Sequence, residues 1–181
     1  TYGGNYDQFT ATTLQVIAGI LPGGTVLDFG AGTGRLSIPL AERGYEVVAV
    51  EQSTGMVEVL QQKCADNGLV LPIHNCSIAD YSNGSADLAL AVFTVLSYIT
   101  DEEEMLKSLQ NIADHLNPNG LFFLDLPDNV FFAKPVLFNI NRPDLQRKVS
   151  ISPTGEHQIF TYHEQGSLHC NGLDFDYQDQ F

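Results

Sequence analysis

The chain is short of basic residues. Lysine and arginine together number 8 against 22 aspartates and glutamates, for a formal charge of −14. A field of that sign repels a phosphate backbone, so nucleic acid is not an expected partner. The loose group Arg142, Arg147 and Lys148 reads as solvated surface. Cysteine is scarce as well: Cys64, Cys76 and Cys170 are widely spaced and form no C-x-x-C pair. That pattern speaks against a disulfide framework or a structural zinc site and points to a reducing compartment, the cytoplasm. No apolar run approaches the ~20 residues of a membrane span, so no membrane partner is expected. The opening "TYGGNYDQFTATT" lacks the basic flank and apolar centre of a secretory signal. It also lacks an initiator Met and reads as trimmed.

What is present is the material of a packed domain. The chain has 181 residues, 44% of them hydrophobic, which suits one domain with a small appended element. Leu14, Ile17, Ala18 and Leu21 share a helical face that "PGG" terminates. "TVLDFG" reads as a buried strand and "RLSIPLAERG" as a helix closed by Gly44, bent by Pro39 unless that proline lies near the first turn. "YEVVAVE" is a strand buried on both faces. The next helix has Ser53 as N-cap and Met56, Val59, Leu60 and Cys64 as its inner face. "LVLPIHNC", interrupted by Pro72, suits a strand near a sheet edge. "ADLALAVFTVL" is a fourth strand. An acidic-fronted helix follows, with a stripe of Met105, Leu109, Ile112, Ala113 and Leu116 that Asn117-Pro118 ends, and "GLFFLDL" is a fifth strand. Strands alternating with helices predict an α/β fold, a doubly wound, mostly parallel sheet. Beyond residue 128 the pattern turns to polar–apolar alternation around Gly turn signals, which predicts a small antiparallel C-terminal β element over 129–181.

The chemistry centres on "DFGAGTGR". In an open parallel sheet, ligands bind beyond the carboxyl ends of the strands. Gly30, Gly32 and Gly34 let backbone N–H groups approach a ligand there. Glu51, 19 residues after Gly32, ends the second strand and can accept both hydroxyls of a ribose. A nicotinamide dinucleotide would want a third glycine at position 35, where this chain has Arg35.

The spacing D-x-G-x-G-x-G from Asp28 to Gly34, the acid Glu51 and the "HLNPNG" turn resemble class I S-adenosylmethionine-dependent methyltransferases, whose core is Rossmann-like. The resemblance runs from about Tyr6 to Leu126, roughly two thirds of the chain. It implies S-adenosyl-L-methionine as cofactor and direct methyl transfer to a small-molecule acceptor. It also implies roles for residues. Asp28 contributes negative charge near the cofactor's ammonium or braces the glycine loop. Gln52 packs along the adenine, where Met56 is an alternative, and Ser77 with the Ile78 backbone N–H meets the adenine edge. Ser77 stands where the family often has an acid, so Asp80 is a rival for the adenine amine. Phe93 lines the methionine end, with Val95 a second candidate and Tyr98 either lining or core. Tyr6 covers the cofactor as part of an N-terminal lid.

A sulfonium donor is already activated, so alignment carries most of the catalysis and no catalytic residue can be named. His157, His163 and His169 recur every six residues, but a turn at Gly166 would part the last two, so no metal site is expected. Phe131, Phe132 and Phe138 fill space beside the sheet, line an acceptor pocket, or form a homodimer contact. The tail resembles the antiparallel roof of small-molecule methyltransferases, in which a further helix and strands complete the sheet; truncation before those elements is the expectation. A non-enzymatic cofactor-binding or regulatory domain and, less favoured, an NAD(P)-dependent oxidoreductase are the competing functions.

Overall fold

The structure is a computed structural model, and it describes residues 5–126, 135–143, 145–154, 160–170 and 173–180. The chain divides into two units, Thr1–Leu126 and Pro127–Phe181. The first unit runs α1 (Asn5–Ile20), β1 (Thr25–Phe29), α2 (Ser37–Glu42), β2 (Glu46–Val50), α3 (Thr54–Asp66), β3 (Ile73–His74), β4 (Ala86–Ala91), α4 (Glu102–Asp114) and β5 (Leu116–Leu124), with a 3-10 turn at Val95–Tyr98. Its strands are all parallel and lie in the order β3-β2-β1-β4-β5. This is the expected doubly wound sheet. The strand order reverses between β1 and β4, which opens the crevice where such sheets bind ligands.

β1 shows how the sequence places the sheet between two layers. Val26 packs with Leu14, Ile17, Leu36 and Leu40 on the α1–α2 side. Its neighbours Leu27 and Phe29 pack with Ile78, Tyr81 and Ile112 on the α4 side. Successive side chains of a strand face opposite ways, so a strand apolar on both faces belongs in the middle. Each large side chain so buried contributes roughly 1.5–3 kcal/mol.

Several boundaries differ from expectation. α2 starts only at Ser37, which leaves Pro39 in the first turn, where its missing N–H breaks no helical bond. On α3 the inner face is Val57, Leu60 and Cys64, while Met56 and Val59 are exposed. Ser53 does precede α3 as its N-cap but makes no side-chain capping bond; its N–H is directed to Glu51 instead. On α4 the buried positions are Ser108 and Ile112, and Leu109 is outside the core. Ala18 on α1 is likewise exposed. In each case the inner face is rotated by part of a turn, and on α1 and α4 the short side chains Thr13 and Ser108 are among the buried ones. β3 is reduced to two residues and lies at the sheet edge, as Pro72 suggests. β4 stops at Ala91, before the "VFTVL" stretch assigned to it, because the backbone turns left-handed at Phe93 and Thr94. α4 ends at Asp114 and β5 begins at once. The Asn117–Gly120 turn lies inside that strand as an irregularity, with Asn119 at φ 66°.

The second unit is an antiparallel sheet of β6 (Val136–Arg142), β7 (Leu145–Pro153), β8 (Phe160–Cys170) and β9 (Leu173–Gln180), in that spatial order. β8 runs straight through Gly166, which pairs with Arg147 on one side and Tyr177 on the other. The turn expected at Gly166 is therefore absent, and His163 and His169 share one strand. Both are exposed, and His169 Nδ1 lies 2.5 Å from Asp174 Oδ1. Arg147 and Glu164 form a two-pronged ion pair, both largely shielded from solvent. Phe131, Phe132 and His157 lie outside the described residues, and of Phe138 only the backbone register, opposite Val149, is described. Among the described residues no group of three metal-ligating side chains gathers, and no helix is long and apolar enough to cross a membrane.

Candidate cofactor site

The glycine loop leaves β1 and folds back over the end of β2. Gly30 and Ala31 both donate their N–H to the Val50 carbonyl, at 2.8 and 3.1 Å, and Gly34 donates to Ala31 at 3.0 Å. The three glycines do different work. A Cβ on Gly30 would lie 2.6 Å from the Val95 methyls, and one on Gly34 would collide with Leu60. Those two are glycines because core side chains already fill the space. A Cβ on Gly32 would meet nothing nearer than the Met56 sulfur at 3.8 Å. Its φ of +57° and the open space before it make Gly32 the point where a ligand can approach the backbone.

Glu51 faces that point. One carboxylate oxygen accepts the Gly32 N–H at 2.8 Å, and the other accepts the Ser53 N–H at 2.8 Å. The side chain is buried, yet each oxygen keeps a lone pair beyond these bonds. The segment bearing Glu51 is tied down by Asn75, whose amide donates to the carbonyls of Glu51 and Gln52 at 2.9 and 3.0 Å. Asn75 in turn accepts from Thr54 Oγ1 at 2.9 Å. Gln52 itself is exposed beside Glu51.

Asp28 works from beneath. It is buried and accepts the Ser37 hydroxyl at 2.5 Å, which joins the end of β1 to the first turn of α2. Burial pushes its carboxyl up from an ordinary 3.8 to about 6, opposed by the Ser37 bonds and the Arg35 charge. Of the two roles open to it in the sequence, bracing the loop is the one its contacts match. Lys63 adds a second brace, donating to the Thr33 carbonyl at 3.1 Å and to Thr33 Oγ1 at 2.9 Å.

Beyond β3, Ser77 and Asp80 are hydrogen-bonded to each other. Ser77 Oγ donates to Asp80 Oδ2 at 2.7 Å and accepts the Asp80 N–H at 3.2 Å. Ile78 is buried, and its carbonyl accepts from Asn111 at 2.6 Å, which fixes the backbone there.

The loop after β4 completes the rim. Phe93 and Thr94 have φ of 82° and 59°, left-handed values that cost a non-glycine residue about 1–2 kcal/mol each. Asp125, just past β5, holds them: its Oδ1 accepts the Phe93 N–H at 2.6 Å and the Thr94 N–H at 2.9 Å. The guanidinium of Arg35 lies 5.0 Å from the Phe93 ring centre and 5.5 Å from that of Phe9 on α1. It also donates to Thr10 Oγ1 at 3.2 Å, so one residue of the glycine loop bridges the N-terminal helix and the post-β4 loop. Tyr6 lies on α1, but its side chain is not among those described.

Arg35, Asn75 and Asp125, which the structure brings into this network, carry no part in the motif that marks the loop in the sequence. For Asp125 a signal existed: like Asp28 and Glu51, it is an acid at or just beyond the carboxyl end of a parallel strand.

A methyltransferase domain family model matches residues 26–120, more than half of the chain. The chain belongs to the methyltransferase domain family. It is a class I member, with the Rossmann-like fold and S-adenosylmethionine as cofactor. It is 32% identical over 146 residues to the cypemycin N-terminal methyltransferase of a Streptomyces species, covering 75% of this chain and 56% of that protein. The chain thus spans little more than half the length of that relative. Among solved structures, an S-adenosylmethionine-dependent methyltransferase from Clostridium acetobutylicum superimposes with a TM-score of 0.82 at 17% identity, over 98% of this chain and 73% of that one. The S-adenosylmethionine-bound amino pentose methyltransferase CalS10 of Micromonospora echinaspora gives 0.74 at 15% identity, over 99% and 76%. The residues present fit the cofactor, since open space where a Gly32 Cβ would stand and a carboxylate with spare lone pairs are what a ribose edge requires.

Proposed function

We propose that this chain moves the methyl group of S-adenosylmethionine onto a small-molecule acceptor in the cytoplasm. The observation that carries the reading is Glu51, held by Gly32 and Ser53 with an oxygen on each side still able to accept. Those oxygens take the two ribose hydroxyls. Gly32 lets the sugar approach, and Gly30 and Gly34 hold the loop's shape by close packing. Gln52 lies along the adenine. Ser77 and the Ile78 N–H meet its edge, with Asp80 setting the orientation of the Ser77 hydroxyl. Phe93 walls the methionine end, Tyr6 covers it, and Asp28 braces the loop through Ser37.

The cofactor supplies an electrophilic methyl carbon on a positively charged sulfur. The protein's task is then alignment, which can contribute ~7–11 kcal/mol of barrier reduction in favourable cases. Small acceptors suit a surface of net charge −14 better than a polyanion does. The test is calorimetric titration with S-adenosylmethionine, followed by product detection against small metabolites, peptides and total RNA. Binding with turnover on a metabolite supports the reading. Turnover on RNA alone would replace the acceptor class, and binding without turnover on any acceptor would favour a regulatory domain.

A further inference from the structure

Asp125 has a second oxygen that the turn does not use. Its Oδ1 holds the N–H groups of Phe93 and Thr94, whereas Oδ2 makes no hydrogen bond to any described residue. The side chain is only partly buried. A carboxylate oriented this firmly through one oxygen presents the other in a set direction.

The strand order says which end of the ligand that oxygen serves. Glu51 ends β2 and grips the sugar on the β2 side of β1, while β4 and then β5 lie on the other side. A ligand with its nucleoside toward β2 and β3 sends its methionine end across β1 toward β4. Val95 marks the crossing, because its methyls fill the space beside Gly30. Asp125 follows β5, next beyond that point.

We propose that Asp125 Oδ2 orients the acceptor, and that the acceptor's nucleophile is an amine. This rests on the cofactor reading above. Among the described residues of the first unit, the ionisable groups in the loop and strand-end network are the carboxylates of Asp28, Glu51, Asp80 and Asp125, the guanidinium of Arg35 and the ammonium of Lys63, which is committed to Thr33. The unit's described imidazoles, His74 and His115, instead lie against Tyr81, with ring centres 5.3 and 4.9 Å away. A hydroxyl acceptor must lose its proton as it reacts, and a carboxylate is a far weaker base than an alkoxide or phenolate. A neutral amine brings its own lone pair and needs only to be pointed. The chain's charge of −14 also attracts amines, which arrive largely protonated.

In the step, the arriving ammonium first releases one proton to water; Oδ2 then accepts an N–H of the resulting neutral amine and turns its lone pair toward the methyl carbon. The lone pair forms the N–C bond, and the C–S bond breaks with its electrons passing to sulfur, which becomes a neutral thioether. The product ammonium then releases its N–H proton to water.

The experiment compares wild type with Asp125→Asn, whose amide oxygen can still hold the Phe93–Thr94 turn but whose other atom becomes a donor. Alanyl-alanine, benzylamine and spermidine serve as amine probes, and benzyl alcohol, phenol and benzoate as oxygen probes. Wild type is expected to methylate at least one amine and none of the oxygen acceptors. The Asn variant is expected to keep S-adenosylmethionine affinity within about twofold and an unchanged unfolding midpoint. Its kcat/KM for the amine should fall at least 100-fold, and amine binding to the S-adenosylhomocysteine complex should weaken at least tenfold. An Asn variant that retains amine binding and turnover overturns the proposal. So does a wild type that binds cofactor yet methylates oxygen acceptors or no amine at all. Failure to bind S-adenosylmethionine overturns the cofactor reading and this inference with it.

Discussion

Two loops at the carboxyl edge of the sheet adopt left-handed backbone by different means. After β1 the left-handed positions are glycines, at 30, 32 and 34. After β4 they are Phe93 and Thr94, which have side chains and are held by a carboxylate brought from β5, 31 and 32 residues away. In the first loop the conformation is intrinsic to the residues. In the second it depends on a long-range partner, so that loop is the one a change elsewhere in the unit can release.

The sharpest break of this contrast lies in crowding. Gly34→Val should destabilise the fold by about 3–5 kcal/mol, because the new side chain meets Leu60 at a left-handed position. Gly32→Ala, at a left-handed position with no close neighbour, should cost only about 1–2 kcal/mol. Urea unfolding of the two variants separates them. Equal losses would mean the glycines are interchangeable and the distinction between packing and approach is wrong.

Next in size is Glu51→Ala. Two hydrogen bonds to a charged acceptor, at about 1.5 kcal/mol each, amount to roughly a 100-fold weaker cofactor Kd. Calorimetry reads this, and a Kd within threefold of wild type would remove Glu51 from the site.

A smaller effect sits under the glycine loop. Asp28 ionises near 3.8 when unfolded and near 6 when folded, so the folded state holds the proton more tightly. Its contribution to stability is therefore fullest below about pH 3.8 and is lost as pH rises to about 6. Asp28→Asn keeps an acceptor for Ser37 without the buried charge. It should be more stable than wild type by about 1–3 kcal/mol at pH 7.5 and no more stable below pH 4. Chemical denaturation at the two pH values checks both halves, and a less stable Asn variant at pH 7.5 would contradict them.

The smallest effect belongs to the second loop. Thr94→Gly removes left-handed strain at the expense of glycine's extra freedom when unfolded, for a net gain of about 1 kcal/mol. A lower unfolding midpoint would show that Asp125 holds an unstrained turn.

The same contrast explains what the sequence discloses. The first loop is legible because glycine spacing, the β-branched run "VVAV" and a terminal acid are local features, and they lead to Gly30–Gly34 and Glu51. The alternation of elements likewise yields the doubly wound sheet. The second loop is hidden because "AVFTVL" reads as continuous strand, and only Asp125 reveals why it turns. Met56 and Leu109 fit an inner face by spacing yet stand exposed, because helical periodicity gives a stripe but not its rotation. Gly166 carries a turn signal yet lies within β8, because glycine in a strand and glycine in a hairpin look alike without the partner strand.

The central claim is tested most directly by a crystal structure of the chain soaked with S-adenosylmethionine. Both ribose hydroxyls should lie about 2.6–3.2 Å from the Glu51 carboxylate, with the sugar edge against Gly32. A cofactor whose sugar lies elsewhere, with Glu51 bonded only to Gly32 and Ser53, would contradict the account.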